Sequence, residues 1–206
     1  YQKLRQRIRV VCCWAHARRK FDEALHTVPK EQQRTSKPAE ALCYFAKLFE
    51  LEHQFADMAA EERYTRRLEQ AKPVLEALLA WANELKDKTA PKSALGKALH
   101  YLLEQWPYLL RYLEDGRLEI SNNRAERSIK PFVMGRKNWL FANTPAGARS
   151  SAVIYSLIET AKENGLDPYR YLLWVLHTAP ELAQQDSAWA EKVTPFLAPD
   201  TCKIPE

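Results

Sequence analysis

Apolar residues along this chain recur mostly at helical spacing, which predicts a mainly α protein with a few short β-strands. Ile8, Val10, Val11, Cys12, Cys13 and Trp14 form a β-branched, apolar run after a basic start and read as a strand that becomes buried. A helix is expected from Ala15 to about Thr27. The polar, proline-bounded stretch from Pro29 to Pro38 reads as a linker. Three helical stripes follow, Leu42 to Phe55, Leu75 to Leu85 and Leu95 to Leu113, with Pro107 expected to kink or split the third. This block, about 39–114, has no strand pattern and no compact cluster of chemical residues, so it reads as a helical insertion.

Asp115-Gly116 closes the block as a turn, and Leu118-Glu119-Ile120 looks briefly extended. Ser121, Asn122 and Asn123 offer three candidate caps for a helix from about Asn123 to Lys130, limited by Pro131 and followed by a break at Gly135. Residues 138–143 are short, aromatic and strand-like, and Thr144-Pro145-Ala146-Gly147 reads as a turn. Val153, Ile154, Leu157, Ile158 and Ala161 form a helical stripe stopped by Asn164-Gly165. Asp167 followed by Pro168 is a cap with proline at the first helical position, opening a helix to about Thr178. After Pro180 the pattern weakens to a short helical stretch and a proline-rich end.

Composition narrows the class. With 46% hydrophobic residues and five glycines, 206 residues can bury a core in one or two domains. No stretch reaches the roughly 20 apolar residues of a membrane span, and no secretory signal opens the chain, so a cytoplasmic protein without membrane contact is expected. Cysteines at 12, 13, 43 and 202 do not form a disulfide framework. The first residue is Tyr1, which suggests a fragment of a longer protein.

The net charge of +5 is unevenly spread. Residues 1–20 hold Lys3, Arg5, Arg7, Arg9, Arg18, Arg19 and Lys20 and no acid. Residues 121–150 hold Arg124, Arg127, Lys130, Arg136, Lys137 and Arg149 against Glu126 alone. The remainder is net acidic. Cations gathered into two segments suit a polyanionic partner such as nucleic acid.

Helical spacing places Asn123, Glu126, Arg127 and Lys130 on one face at i, i+3, i+4 and i+7, so one carboxylate stands among cations. Two readings compete. In the structural one Asn123 and Glu126 form a capping arrangement at a helix start. In the functional one Glu126 binds a divalent cation at a phosphate while Arg124, Arg127 and Lys130 hold DNA backbone. Arg136, Lys137, Asn138 and Trp139 combine charge, an amide and a ring, which suits backbone contact or stacking on an unpaired base, although Trp139 also fits a core. Arg18 and Arg19 are consecutive with Lys20 and cannot all face one groove. Cys13 and His16 have the spacing of half a zinc site without a second pair. Besides an enzyme, a DNA-binding module without chemistry and a helical scaffold remain open.

The segment from Gly116 to Leu172, with Ser121-Asn-Asn-Arg-Ala-Glu-Arg-Ser-Ile-Lys130 at its heart, closely resembles the insertion-sequence-66 family of bacterial transposases. So does Cys13-Trp-Ala-His-Ala-Arg-Arg-Lys-Phe21. The resemblance implies a partial RNase H-like core carrying the helical insertion, with a catalytic domain over 1–157 and a C-terminal helical domain over 158–206. It implies DNA strand cleavage and strand transfer by two Asp and one Glu that hold Mg²⁺ (or Mn²⁺), and it places Glu126 in the role of the Glu, both catalytic and metal-binding. Both Asp would lie upstream of the Cys-Trp-Ala-His motif. No Asp precedes Asp22, so the fragment alone is expected to be inactive. His16 would contact DNA or support the active site, and Arg18, Arg19, Asn123, Arg124, Arg127, Lys130, Arg136, Lys137 and Asn138 are the expected DNA contacts. Transposon-end DNA and accessory transposition proteins are the implied partners, and an incomplete sheet would leave an edge that favours a homo-oligomer.

Overall fold

Side-chain caps and prolines open several helices where the chain needs a donor satisfied or a φ preset. Ser36 accepts from the Ala39 N–H at 3.4 Å, Ser93 from Gly96 at 3.0 Å, Thr144 from Gly147 at 3.0 Å and Asp167 from Arg170 at 3.0 Å. Pro38, Pro145 and Pro168 sit in the first turns of the helices so capped. The computed structural model describes residues 9–139 and 142–204, the side chains of 136–139 excepted. Its α-helices are α1 (Trp14–Leu25), α2 (Lys37–Gln54), α3 (Ala60–Arg66), α4 (Lys72–Lys86), α5 (Ala94–Leu109), α6 (Asn123–Trp139), α7 (Pro145–Glu163), α8 (Pro168–Gln185) and α9 (Trp189–Lys192). The protein is mostly helical, as its periodicity predicts. It divides into two compact units, Tyr1–Arg124 and Ala125–Glu206.

In the first unit α1 packs against α2 and α5. Of its buried face, Trp14, Ala17 and Phe21 belong to the same core as Phe45 of α2 and Trp106 of α5, so α1 and the helical block fold as one body. Trp14 is the centre of this core. Its ring meets Trp106, Phe45 and Tyr112 edge-on at 5.5, 6.0 and 6.2 Å, and its Nε1–H donates to the Leu109 carbonyl at 3.0 Å, so burial leaves no polar atom of the indole unpaired.

The first unit also buries a charge. Arg67, on a π-helical turn (Arg67–Ala71) between α3 and α4, has no solvent exposure. Its Nε and one terminal nitrogen donate to the two Glu52 carboxylate oxygens at 2.8 and 2.6 Å. The remaining donors reach the carbonyls of Tyr112, Asp115 and Leu118 at 3.0, 3.1 and 2.8 Å, and the guanidinium lies 5.0 Å from the centre of the Tyr112 ring. Planar geometry with five donors makes this possible; an ammonium could not satisfy the same set.

The second unit has a smaller core, centred on Ala161, Leu166, Tyr171 and Cys202. α7 ends at the predicted Asn164-Gly165 stop: Gly165 takes φ +70°, its N–H reaches Lys162 O and the Leu166 N–H reaches Ala161 O, each at 3.0 Å. Tyr171 donates its hydroxyl to Val193 O at 2.7 Å, tying α8 to the tail.

Among the described residues the expected strands do not form. Among the described residues β pairing is confined to one isolated antiparallel bridge, Leu166 with Lys203. Residues 9–13 take no regular secondary structure, for a strand needs a neighbouring backbone and these residues meet helix ends instead: Cys12 N–H donates to Tyr108 O at 3.1 Å and Arg111 donates to Val10 O at 2.8 Å. Ile8 lies outside the described residues. The second predicted strand, 138–143, begins inside α6, and its Leu140 and Phe141 lie outside the described residues. Proline is the recurring reason for misplaced helix ends. Pro131 and Pro180 lie within α6 and α8, which run on to Trp139 and Gln185. A proline forfeits one helical bond, and packing offsets that loss: Phe132, one residue past Pro131, meets Tyr155 of α7 edge-on at 5.1 Å. Pro107 likewise stays inside α5, which tightens to a 3₁₀ turn only at Leu110. The stretch 29–38 is ordered as well, with a 3₁₀ turn at Lys30–Thr35 from which Gln33 caps the Leu25 and Val28 carbonyls at 3.3 and 3.0 Å.

Removing Arg67 strands a carboxylate and three carbonyls away from water. Arg67→Met should therefore cost about 3–5 kcal/mol in urea unfolding. Arg66→Met, which removes only an exposed pair with Glu69 at 3.5 Å, should cost less than about 1 kcal/mol. Equal losses would contradict the buried network.

Candidate functional site

The two motif segments, 13–21 and 116–130, come together at their roots. Cys13 precedes α1 in extended conformation (φ −94°, ψ 119°) and offers α1 no side-chain cap. Its sulfur instead accepts from the Asn122 N–H at 3.4 Å, across 109 positions of sequence. The next residue, Trp14, donates its backbone N–H to Ile120 O at 3.0 Å. One bond on each side of the α1 start thus ties it to the segment 118–122 from which α6 departs. Cys12 adds a third attachment, its thiol donating to Gln105 Oε1 at 3.4 Å; burial, more than the neighbouring Cys13, pushes that thiol above its ordinary range.

The segment 112–120 is held from its other side. Arg67 grips Tyr112, Asp115 and Leu118 as described, and Arg63 of α3 donates to Gly116 O at 3.4 Å while its other donors reach Phe55, Ala56 and Met58 carbonyls. Gly116 passes so close to α3 that a Cβ there would collide with the Ala60 carbonyl oxygen. At the turn itself Arg117 donates to both Asp115 carboxylate oxygens, the shorter contact 2.6 Å, and these bonds together with the Arg117 backbone N–H hold the Asp115 carboxyl at about 2. The turn foreseen at Asp115-Gly116 is therefore present and pinned on three sides.

α6 begins at Asn123 and keeps the spacing read from the sequence, with Asn123, Glu126, Arg127 and Lys130 at i, i+3, i+4 and i+7, all exposed. Glu126 occupies the first turn, where the helix dipole favours an acid. Arg124, also exposed, forms an ion pair with Glu119 at 3.5 Å, so part of its charge is spent on the segment leading into α6. Arg136, Lys137 and Asn138 fall in the last turns of α6, and their side chains lie outside the described residues. On α1, His16 is half-buried while Arg18 and Arg19 are exposed on the side away from Trp14, Ala17 and Phe21. Lys20 is engaged with Glu23 at 3.3 Å. The structure joins the start of α1 to residues 120–122, the segment that leads into α6, in one knot.

Among the described residues no group of three or more His, Cys, Asp or Glu is placed to hold a metal ion. Cys13, half of the Cys-x-x-His pair, is buried with its sulfur turned to Asn122. Residues that the sequence did not reveal are the ones that fix the knot: Arg67, Arg63 and the Cys13 sulfur. Arg63 and Arg67 stand in a charged stretch, Glu61 to Glu69, that reads as a solvated helix face, and nothing in their spacing marks one of them as buried.

Comparison with known proteins adds to this geometry. The profile of the Transposase IS66 family matches residues 1–150, and that of the IS66 C-terminal element matches residues 156–191. Among curated relatives, the chain is 34% identical over 171 residues to the Uncharacterized protein y4hP of Sinorhizobium fredii (strain NBRC 101917 / NGR234), covering 80% of this chain and 31% of that protein. To the Uncharacterized proteins y4jD and y4qI of the same organism it is 36% identical over 169 and 178 residues, covering 82% and 86% of this chain and 32% and 31% of theirs. The chain thus spans about a third of the length of the curated relatives it matches. No solved structure matches it.

The knot can be tested one bond at a time. Cys13→Ala deletes the acceptor of the Asn122 N–H and leaves the Trp14 bond to Ile120, so exchange of the Asn122 amide should quicken about fivefold, the worth of a typical net hydrogen bond, with the Trp14 amide unchanged. An Asn122 amide that exchanges equally fast in both proteins would remove this contact from the site.

Proposed function

Since the chain belongs to the Transposase IS66 family, we propose that it serves metal-dependent DNA strand cleavage and strand transfer, as part of a longer Asp-Asp-Glu transposase to which it contributes the Glu, Glu126. The observation that supports the reading is the joining of Cys13 and Trp14 to Asn122 and Ile120, because it brings the start of the first motif segment against residues 120–122 of the second. A phosphodiester backbone needs cations at a fixed spacing, and exposed cations on α1 and α6 can supply them.

In this reading Glu126 is catalytic through its carboxylate, as a ligand of Mg²⁺ or Mn²⁺. Such an ion, when bound, supplies Lewis-acid stabilisation of charge at phosphate. One carboxylate is too few to hold it, and in this reading the further acids belong to other parts of the longer protein. The fragment alone is accordingly inactive. Arg18, Arg19, Asn123, Arg124, Arg127, Lys130, Arg136, Lys137 and Asn138 hold the backbone of transposon-end DNA, and His16, half-buried beside them in sequence, positions or contacts it. Residues 1–157 form part of an RNase H-like catalytic domain with its insertion at about 39–114, and 158–206 the C-terminal helical domain. Accessory transposition proteins, self-association and a cytoplasmic site complete the proposal; among the described residues no helix is long and apolar enough to cross a membrane.

The deciding experiment compares Glu126→Gln with the unaltered full-length protein on duplex DNA carrying the element's terminal repeat. Nicking and joining should fall at least about 100-fold, since even an outer partner of a metal ligand commonly costs 10- to 100-fold. Binding of the same DNA should persist and weaken steeply with salt. Undiminished cleavage by the variant would remove Glu126 from the chemistry, and binding that ignores salt would remove the cations from the interface.

A further inference from the structure

α8 carries two apolar faces. Tyr171, Leu172, Trp174 and Val175 pack in the core built on Ala161, Leu166 and Cys202, which accounts for one of them. On the other, Tyr169, Leu173, Leu176, Pro180 and Ala183 are all exposed, Tyr169 by 75% and Leu176 by 72%. These five fall at intervals of four, three, four and three residues, the spacing that keeps side chains in one seam and lets a second helix interlock with them. A helix that is apolar on opposite sides is ordinarily covered on both.

The exposed seam complements itself when run in reverse. Laid antiparallel about Leu176, the bulky Tyr169 of one copy meets the small Ala183 of the other, Leu173 meets Pro180, and the two Leu176 side chains meet on the axis. Each layer matches to within one residue, about 1.5 Å along the helix. Charge favours the same direction. Arg170 and Glu181, both exposed, stand about three turns apart on one flank of the seam. A reversed copy therefore carries its Glu181 to the level of Arg170 and its Arg170 to the level of Glu181. Parallel copies would set like charges level at both ends and oppose Tyr169 to Tyr169.

We propose that the α8 seam is the contact between two copies of this chain, paired antiparallel about a two-fold axis at Leu176. The pairing gives self-association a definite surface, formed by one helix of the second unit, and it does not draw on the assignment of Glu126. A seam of five residues is smaller than a standard interface of about 1,600 Å², so the pairing is reversible, with a Kd on the order of 10 µM.

Sedimentation equilibrium of the full-length protein without DNA, at low salt and from about 1 to about 100 µM, spans that Kd. The unaltered protein should pass from monomer to dimer across the range. Leu176→Glu, at an exposed position, sets two like charges on the axis and should raise Kd at least about 30-fold. Arg170→Glu and Glu181→Arg should each weaken pairing about two- to fivefold, and the two together should restore it, because opposite charges again stand level. All of these variants alter exposed side chains, and circular dichroism checks that each keeps its helix content. A protein that stays monomeric throughout overturns the proposal and leaves the seam to another part of the longer chain. Dimerisation that Leu176→Glu leaves unweakened overturns it by placing the contact elsewhere. A double variant that pairs no better than the single ones overturns it too, since an antiparallel copy would then not lie on the seam.

Discussion

A guanidinium cut off from water must find a partner for each N–H, because every orphaned donor costs roughly 1–3 kcal/mol. Arg67 meets that demand by drawing together parts of the chain that are distant in sequence: the end of α2 through Glu52, and the strap after α5 through Tyr112, Asp115 and Leu118. The constraint acts in both directions. The strap cannot rearrange without exposing a buried charge, and the charge stays buried only while the strap is in place. From that fixed strap follow the Trp14 bond to Ile120, the Asn122 bond to Cys13 and the starting point of α6. The aromatic core around Trp14 closes the same region from the other side, so the root of the Glu126 helix is set by one charged and one apolar network that meet at Tyr112.

This division of labour explains why the helical block between the two motif segments is more than a spacer. α2, the π-helical turn and α5 supply Glu52, Arg67 and the Leu109 carbonyl, which together seat both motifs. Arg18 and Arg19 of α1 and, on α6, Arg124, Arg127, Lys130 and that helix's single acid, Glu126, are exposed to solvent, where a polyanion can reach them. The chain belongs to the Transposase IS66 family and spans about a third of the length of its curated relatives, and among the described residues no group of three or more His, Cys, Asp or Glu is placed to hold a metal ion.

Much of this was legible in advance, and what was not has identifiable causes. The stripes at 42–55, 75–85 and 95–113 returned as α2, α4 and α5 because long periodic runs bury one face whatever their neighbours do. Gly165 and Asp167-Pro168 returned because their signals are local backbone chemistry. Among the described residues the strands did not, since a β-branched, apolar run such as 9–14 becomes a strand only if another strand lies beside it, and here helix termini do. Helix ends were misjudged at Pro131 and Pro180, where tertiary packing outweighed a lost hydrogen bond. Of the site, the motif residues and their helical face could be read directly, whereas Arg67 could not: its burial depends on four segments converging, and a linear pattern contains no trace of that.

The central claim is that two motif segments rooted in one knot meet the same transposon end. Full-length protein carrying both segments, photo-cross-linked to duplex DNA with a reactive base beside the scissile phosphate, tests it most directly once the attached peptides are mapped. The account predicts cross-links to residues 16–20 of α1 and to 123–130 of α6. Cross-links that include neither segment would contradict it.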